Sequence, residues 1–358
     1  MSVFSAVDFS DHELVVFARD AETGLKAIIA VHSTVLGPAV GGCRMWKYGS
    51  DEEAARDALR LSKGMSHKNA MADLPLGGGK SVIMAPEGNF DRQALLQAFG
   101  RAIDSLGGRY ITAEDVGTSV ADMLTIRSVT PHVSGLSSDP TKGGDPSPYT
   151  ALGVYHGIRA SVRHKLGKAS LEGVTVAVQG LGNVGRNLCG LLHRDGAKLI
   201  VTDISEDRVA AAVSAYGAKA ASLEDILSVE ADVLAPCALG AVLNAKTIPA
   251  LNVPVVAGAA NNQLATAQDG EHLRERGILY APDYVINAGG IIAVSHEILN
   301  DFEQSRVIAK VEAIDDRLTQ IFTEADRDGM ATAAVADRLA EAKIAAGRKG
   351  KAAAVQAA

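Results

Sequence analysis

The feature that most constrains this chain is Gly180-Leu181-Gly182-Asn183-Val184-Gly185, which follows the apolar run 174–179 and opens a helical pattern. Asp203 stands 18 residues after Gly185, at the end of the next apolar run, 198–202. A G-x-G-x-x-G alone is a weak signal. Between a strand and a helix, with an acid at this distance, it is a dinucleotide-binding fingerprint. Gly180 permits the tight turn, Gly182 lets the backbone approach a pyrophosphate, and Gly185 allows helix and strand to pack closely. The helix N-terminus presents its N–H groups to the phosphates. Asp203 is placed to accept hydrogen bonds from an adenosine ribose. Its charge repels a 2′-phosphate, and no arginine occupies Ile204 or Ser205, so NAD is expected over NADP. The competing reading is a glycine-rich turn without a ligand.

The surrounding pattern agrees with a parallel sheet. Short apolar runs at 174–179, 198–202, 233–235 and 255–257 alternate with helical segments, which implies a sheet covered on both faces. At about 150 residues per domain, 358 residues suggest two domains. The first part is mixed. Runs 13–19 and 25–32 suggest a hairpin. Ser50 to Glu53 forms a capping box, followed by Ala54, Ala58, Leu61 and Met65 at helical spacing. Run 80–84 reads as a buried strand, 91–106 as a helix ended by Gly107-Gly108, and 109–113 as a strand delivering Glu114-Asp115. GLSSDPTKGGDPSP (135–148) has a linker composition, with Gly143-Gly144 a hinge candidate, and a helix follows over 150–166. The expected division is 1–146 and 147–329, with 293–322 one long helical pattern that leaves the second domain and packs back toward the first. A helix over about 330–358 is expected to pack back on the first domain. Residues 347–358 read as a frayed tail, with a docking extension as the alternative.

Composition removes other classes. Lys+Arg 35 against Asp+Glu 42 gives a net charge of −7, the wrong sign for a general nucleic-acid binder. Aromatics are 4%, too few for a base-stacking surface or an aromatic membrane belt. Hydrophobic content of 47% can fill a core and argues against disorder. No apolar run is long enough to span a membrane, and the first residues lack a basic segment followed by an apolar one. Cys43, Cys189 and Cys237 are odd in number and show no metal-ligand spacing. A reducing cytoplasm and no metal are expected.

Leu76-Gly77-Gly78-Gly79-Lys80-Ser81 resembles a P-loop only superficially, because Leu74 occupies the position where the first glycine is required and a strand follows. Lys80 then reads as a lysine at the mouth of a strand behind a flexible glycine turn, and solvation is its ordinary fate. Lys68, twelve residues earlier at the end of an apolar helix, changes that weighting. Two lysines converging on one pocket lower each other's pKa, and a lysine so depressed is a general base near neutral pH. Asp115 is either a turn residue or a proton carrier beside them. His67 reads as a helix-surface residue, His296 and Glu297 as packing and capping near a helix start, Met65 as core and Cys237 as a small buried residue.

Five segments together resemble the glutamate, leucine, phenylalanine and valine dehydrogenases, above all the leucine type. They are GPAVGGCRM (37–45), KGMSHKNAMADLPLGGGK (63–80), AEDVGT (113–118), GLGNVG (180–185) and PDYVINAGG (282–290). The resemblance covers about 15–299 and keeps the family's order and spacing. It implies an α/β fold of two domains: an N-terminal substrate-binding and oligomerisation domain and a Rossmann-type doubly wound NAD domain, with a cleft between. It implies reversible, NAD-dependent conversion of an L-amino acid to its 2-oxo acid and ammonia by a homo-oligomer. By the same resemblance Lys68 holds the substrate carboxylate, Lys80 is the catalytic base, and Asp115 assists proton transfer. Gly41, Gly42 and Met65 lie beside the substrate, and Asn262 lies near its amino group. Thr150 faces the nicotinamide end, and Ala238 and Asn261 join Gly180, Leu181, Gly182, Asn183, Val184, Gly185 and Asp203 at the cofactor. The implied side-chain pocket, Val40, Ala113, Ile291 and Val294, is aliphatic and suits Leu, Val or Ile. One methylene is worth only about 1–3 kcal/mol in such a pocket, so a phenylalanine enzyme is the near alternative. An added cation for a glutamate side chain is missing. A catalytically silent NAD-binding regulator is the alternative of another class. The paired lysines argue against it, since perturbed ionisable groups gather where chemistry is done.

Overall fold

A computed structural model of the chain describes residues 3–136, 144–238 and 240–357, the last seven by backbone alone. Its residues gather into two units: 1–144 with 294–302 and 340–358, and 145–293 with 303–339. The chain therefore passes between the units four times, and of the 293–322 pattern only 294–302 belongs to the first unit. Of the linker 135–148, residues 137–143 lie outside the described residues, Gly143 among them; Gly144 has φ +59°. No helix among the described residues is long and apolar enough to cross a membrane.

The first unit is built on a five-stranded sheet. Strands β1 (Leu14–Asp20), β2 (Leu25–Ser33), β3 (Ala39–Trp46), β4 (Gly77–Met84) and β5 (Tyr110–Glu114) lie in the order β1-β2-β4-β3-β5. The expected hairpin is present, with β1 antiparallel to β2. β2 pairs antiparallel with β4, whereas β3 runs parallel to both β4 and β5. Successive side chains leave opposite faces of a strand. Ile29, Cys43, Met45, Ile83 and Tyr110 thus join one core, with α2 (Arg92–Asp104) and α3 (Val120–Arg127). Ile28, Ala30 and Val82 join another, with Ala54, Ala58 and Leu59 of α1 (Asp51–Met71).

Ser50 caps α1 by accepting from Glu53 N at 3.1 Å, while Glu53 Oε2 accepts from Gly49 N at 2.7 Å. The return bond of the expected capping box thus closes one residue early. Gly77, Gly78 and Gly79 are strand residues, not a turn. A Cβ on Gly78 would stand 2.0 Å from Ser66 N, so the glycines let α1 lie directly on β4.

The second unit holds a parallel six-stranded sheet. Its strands are β6 (Thr175–Gln179), β7 (Lys198–Thr202), β8 (Lys219–Ala220), β9 (Val233–Pro236), β10 (Val255–Val256) and β11 (Leu279–Tyr280). The order β11-β10-β9-β6-β7-β8 is the Rossmann order, with the topological switch between β6 and β9. The α/β reading and the doubly wound second domain both stand. The long helical pattern over 293–322 is broken into α9 (Gly289–Ile298), α10 (Gln304–Glu312) and α11 (Ile314–Asp328). His296 and Glu297 therefore end a helix rather than begin one. His296 Nδ1 lies 2.9 Å from Asp301 Oδ1, and Glu297 Oε1 accepts from Leu136 N at 3.2 Å. The frayed-tail reading is also corrected, because α12 (Thr332–Ala357) is helical throughout.

His67 is buried, not on the helix surface, and it stands in a row with His12 and His32. Ring centroids are 4.9 Å apart for His12 and His32 and 6.4 Å for His32 and His67. His32 Nδ1 lies 2.8 Å from Ser66 Oγ. Burial, then the neighbouring charges of His12 and His67, pull the His32 pKa down to about 3. A solvated histidine in the unfolded chain titrates near about 6.5. Between those values the unfolded state binds a proton that the folded state refuses, so stability falls as pH drops through the window. We expect Tm to fall between pH 7.5 and 5, and His32→Gln to flatten that slope. Identical slopes in a thermal scan of the two proteins would remove His32 as the cause.

Candidate active site

In the first unit the site is assembled on the α1 side of the sheet. Lys80 shares a face of β4 with Val82 and is only 6% exposed. Asp115 follows the last residue of β5 and turns back, with its N–H donating to Thr118 Oγ1 at 3.0 Å. Lys80 Nζ donates to Asp115 Oδ2 at 2.7 Å, and Arg44 Nε donates to the same oxygen at 3.0 Å. Burial pushes the Asp115 carboxyl up, but Lys80 and Arg44 together outweigh it and hold the group below the usual carboxylate range. The carboxylate expected beside the lysines is thus in contact with Lys80, and Arg44 is a second cation on it. The buried cation is paired, as burial of charge requires.

The neighbouring positions explain their residue types. Gly42 stands opposite Ala113, and a Cβ on it would meet Asp115 Cβ and the Glu114 carbonyl oxygen, each at 2.7 Å. A Cβ on Gly41 would fall 1.7 Å from the Gly79 oxygen and 3.4 Å from Met65 Cγ. Met65 is half-buried, so it belongs to this wall rather than to the interior of the core. Val40 is buried opposite Ile111. Lys68 lies half-buried in the last turn of α1, next to Asn69, whose Nδ2 donates to Gly77 O at 2.6 Å. Val294 of α9 belongs to this unit as well.

In the second unit, Gly182 caps α5 (Asn183–Arg194) with no side-chain hydrogen bond, and a Cβ there would meet open space. Gly180 takes φ +100°, where a side chain is strained, and Ala238 packs against it. A Cβ on Gly185 would lie 2.0 Å from Gly180 O. Asp203 accepts from Leu181 N at 2.6 Å and Ser205 N at 2.9 Å. Burial raises its pKa, but those N–H groups and Arg208 hold it below the usual range. Cys237 is half-buried rather than fully enclosed, and burial pushes its thiol up to about 11.

Thr150, in α4 (Ser147–Leu166), lies against Gly290, one residue before Ile291. Asn261 Oδ1 accepts from Asn287 Nδ2 at 2.7 Å. Asn262 is exposed, at φ +52°, with its carbonyl accepting from Ala241 N at 2.6 Å.

Comparison with known proteins places the chain. The family model "Glu/Leu/Phe/Val dehydrogenase, dimerisation domain" matches residues 12–132, and "Glutamate/Leucine/Phenylalanine/Valine dehydrogenase" matches 145–206 and 201–357. The chain belongs to the glutamate/leucine/phenylalanine/valine dehydrogenase family. Leucine dehydrogenase of Geobacillus stearothermophilus is 52% identical, covering 98% of this chain and 95% of the relative. Leucine dehydrogenase of Bacillus subtilis is 50% identical, covering 96% and 94%. The crystal structure of L-tryptophan dehydrogenase from Nostoc punctiforme is similar at a TM-score of 0.84 and 43% identity, over 95% of this chain and 97% of that one.

Three residues of this family member escaped the sequence reading. Arg44 was legible only as part of a matched motif. Arg208 reaches Asp203 at 3.5 Å from the first turn of α6 (Glu206–Tyr216), although positions 204 and 205 carry no arginine. Asn287 is buried, and its Oδ1 has no hydrogen-bond partner among the described residues. Burial of an amide is not visible in a sequence; its place in PDYVINAGG was the one available signal.

The contact at Gly42 gives a direct test. Gly42→Ala forces a methyl group onto Asp115, and we expect a loss of about 1–3 kcal/mol, the usual cost of overpacking. A denaturation midpoint equal to that of the parent would show that the strands part without cost.

Proposed function

We propose that the protein is an NAD-dependent dehydrogenase of branched-chain L-amino acids. It converts L-Leu, L-Val or L-Ile, with NAD⁺ and water, to the 2-oxo acid, ammonium, NADH and a proton, reversibly. The observation that carries this reading is the pairing of buried Lys80 with half-buried Asp115, in a chain whose second unit bears a complete dinucleotide fingerprint. The residues fit the cofactor. Open space at Gly182 and an α5 N-terminus without a side-chain cap leave room and N–H donors for a pyrophosphate. Asp203, kept anionic, suits a ribose diol and opposes a 2′-phosphate, which favours NAD even with Arg208 beside it. When bound, the dinucleotide accepts a hydride from the substrate Cα.

The chain's own groups supply the rest. Lys68 pairs with the substrate carboxylate, since a carboxylate leaving water requires a cation. Gly41 and Gly42 offer main chain beside the substrate, with Met65 behind. Asn262 faces the amino group and the nicotinamide, Thr150 faces the nicotinamide end, and Ala238 and Asn261 join the cofactor contacts. Loss of hydride from Cα of the neutral amine leaves an iminium, which water must attack. Neutral Lys80 takes the proton of that water, and Asp115, already in hydrogen-bond reach at 2.7 Å, relays it. The resemblance to the family assigns the substrate side chain to Val40, Ala113, Ile291 and Val294, all aliphatic. The dimerisation-domain match over 12–132 supports a homo-oligomer.

The aromatic alternative is kept in view by the similarity to a tryptophan dehydrogenase. NADH formation at alkaline pH with L-Leu, L-Val, L-Ile, L-Phe, L-Trp and L-Glu separates the readings. The aliphatic acids should have the highest kcat/KM. A preference for L-Phe or L-Trp keeps the mechanism and sinks the pocket; NAD binding without turnover points to the silent regulator. Lys80→Ala should lower kcat by about 10²–10⁴-fold, the usual worth of a general base, with NAD affinity unchanged. Lys68→Ala should chiefly raise KM for the amino acid, and an unaltered KM would end its carboxylate role.

A further inference from the structure

Asp115 Oδ2 is shared. Lys80 reaches it from β4 at 2.7 Å and Arg44 from β3 at 3.0 Å. Arg44 is itself held from behind: its Nη1 donates to Asp57 Oδ2 of α1 at 2.9 Å, and Tyr48 OH donates to the same oxygen at 2.7 Å. The charges alternate along this line, from Lys80 to Asp115, Arg44 and Asp57. We propose that Arg44 is a positioning residue for the reaction, a fixed cation that keeps Asp115 ionised and aimed at Lys80 while Lys80 gains and loses its proton. This inference rests on the reading of Lys80 and Asp115 as the proton-transfer pair.

The need for such a cation follows from the chemistry. Each turnover requires Lys80 to become a neutral amine, and Asp115 then loses the charge that stabilises it. A partly buried carboxylate with no cation nearby takes up a proton instead and ceases to relay. A guanidinium does not deprotonate at working pH, so Arg44 supplies a charge that turnover cannot remove. Its planar fork explains why arginine occupies the site. Nε serves Asp115 while Nη1 serves Asp57, so the head cannot swing toward either without breaking a bond.

The other groups near Asp115 do not titrate in the working range. Burial pushes the Cys43 thiol up to about 12 and raises Tyr110, and Tyr48 is raised by burial and by its bond to Asp57. Lys80 and Arg44 are therefore the charges that act directly on Asp115, with Asp57 behind Arg44.

The test uses the full-length enzyme with NAD and its preferred amino acid, recording kcat, KM and the pH profile of kcat/KM. Removing a fixed cation raises the proton affinity of Asp115. Arg44→Met should therefore move the ascending limb to higher pH by about one unit. We expect a 10- to 100-fold lower kcat with KM for the amino acid within threefold. Arg44→Lys should restore the limb but only part of kcat, because one ammonium cannot serve both carboxylates in fixed directions. Asp57→Asn removes an anion from the far side and should move the limb the other way, to lower pH. That variant keeps the inference open to refutation if Arg44→Met does not fold. An Arg44→Met enzyme with the parent's kcat and limb overturns the proposal, whatever its Tm. So does a limb in Asp57→Asn that stays in place or rises. A parent enzyme that turns over no amino acid sinks the underlying reading and this one with it; an active parent with an indifferent Arg44→Met sinks this one alone.

Discussion

The first unit is organised around a buried ammonium group. Taking Lys80 out of water costs several kcal/mol unless an anion is brought to it in good geometry, and the local architecture meets that demand. Asp115 must approach β4 from the end of β5, which requires that no side chain stand at Gly42. β4 must lie directly under α1, which requires Gly78 against Ser66. The glycines that looked like a flexible turn in sequence are thus strand residues that let a charged group be enclosed. A packed hydrophobic side chain at position 80 would be the cheaper solution for stability alone. That the chain carries a lysine there is an argument for chemistry.

The anion site proposed for the second unit has no cation in its loop. Its devices are backbone N–H groups, an open approach at Gly182, and a carboxylate tied by two N–H groups so that it stays charged and stationary. Asp203 spends hydrogen-bonding capacity on Leu181 and Ser205, which fixes its orientation toward the glycine-rich turn. Arg208 tempers the charge without occupying the carboxylate's direct neighbours in sequence.

Much of this was legible because the signals were local. The fingerprint 180–185 with Asp203 gave the parallel unit, and the helical spacing after Ser50 gave α1. What escaped depends on contacts distant in sequence. Arg44 meets Asp115 across 71 residues, so the second cation on that carboxylate has no local trace. His67 looks like a surface residue beside Lys68 because α1 is covered on more than one side, an environment that periodicity in one helix does not report. The break of 293–322 into three helices is a tertiary feature too: Asn300 adopts φ +58° between α9 and α10, a conformation that asparagine tolerates better than most residues. Asn261 and Asn262 were reachable only through resemblance to relatives, since an asparagine in a loop otherwise reads as a turn residue.

The last helix shows the same principle at the end of the chain. Its alanine-rich sequence has little amphipathic contrast, which is why it resembled a tail. Small residues are nevertheless what close packing requires. Ala340 and Ile344 are buried, and a Cβ on Gly347 would stand 2.8 Å from Val35 and 2.9 Å from Leu36. Those two residues lie in the loop that leads into β3, ahead of Val40, Gly41, Gly42 and Arg44. Alongside this seam, Glu341 lies 3.7 Å from Lys63, and Lys343 pairs with Asp73 just beyond the end of α1. Exposed ion pairs of this kind contribute little each, about 0–1 kcal/mol, so the apolar seam carries the docking and the charges set its register. The final helix thereby fixes both the loop before β3 and the end of α1, the two segments that bring Arg44 and Lys68 to the site.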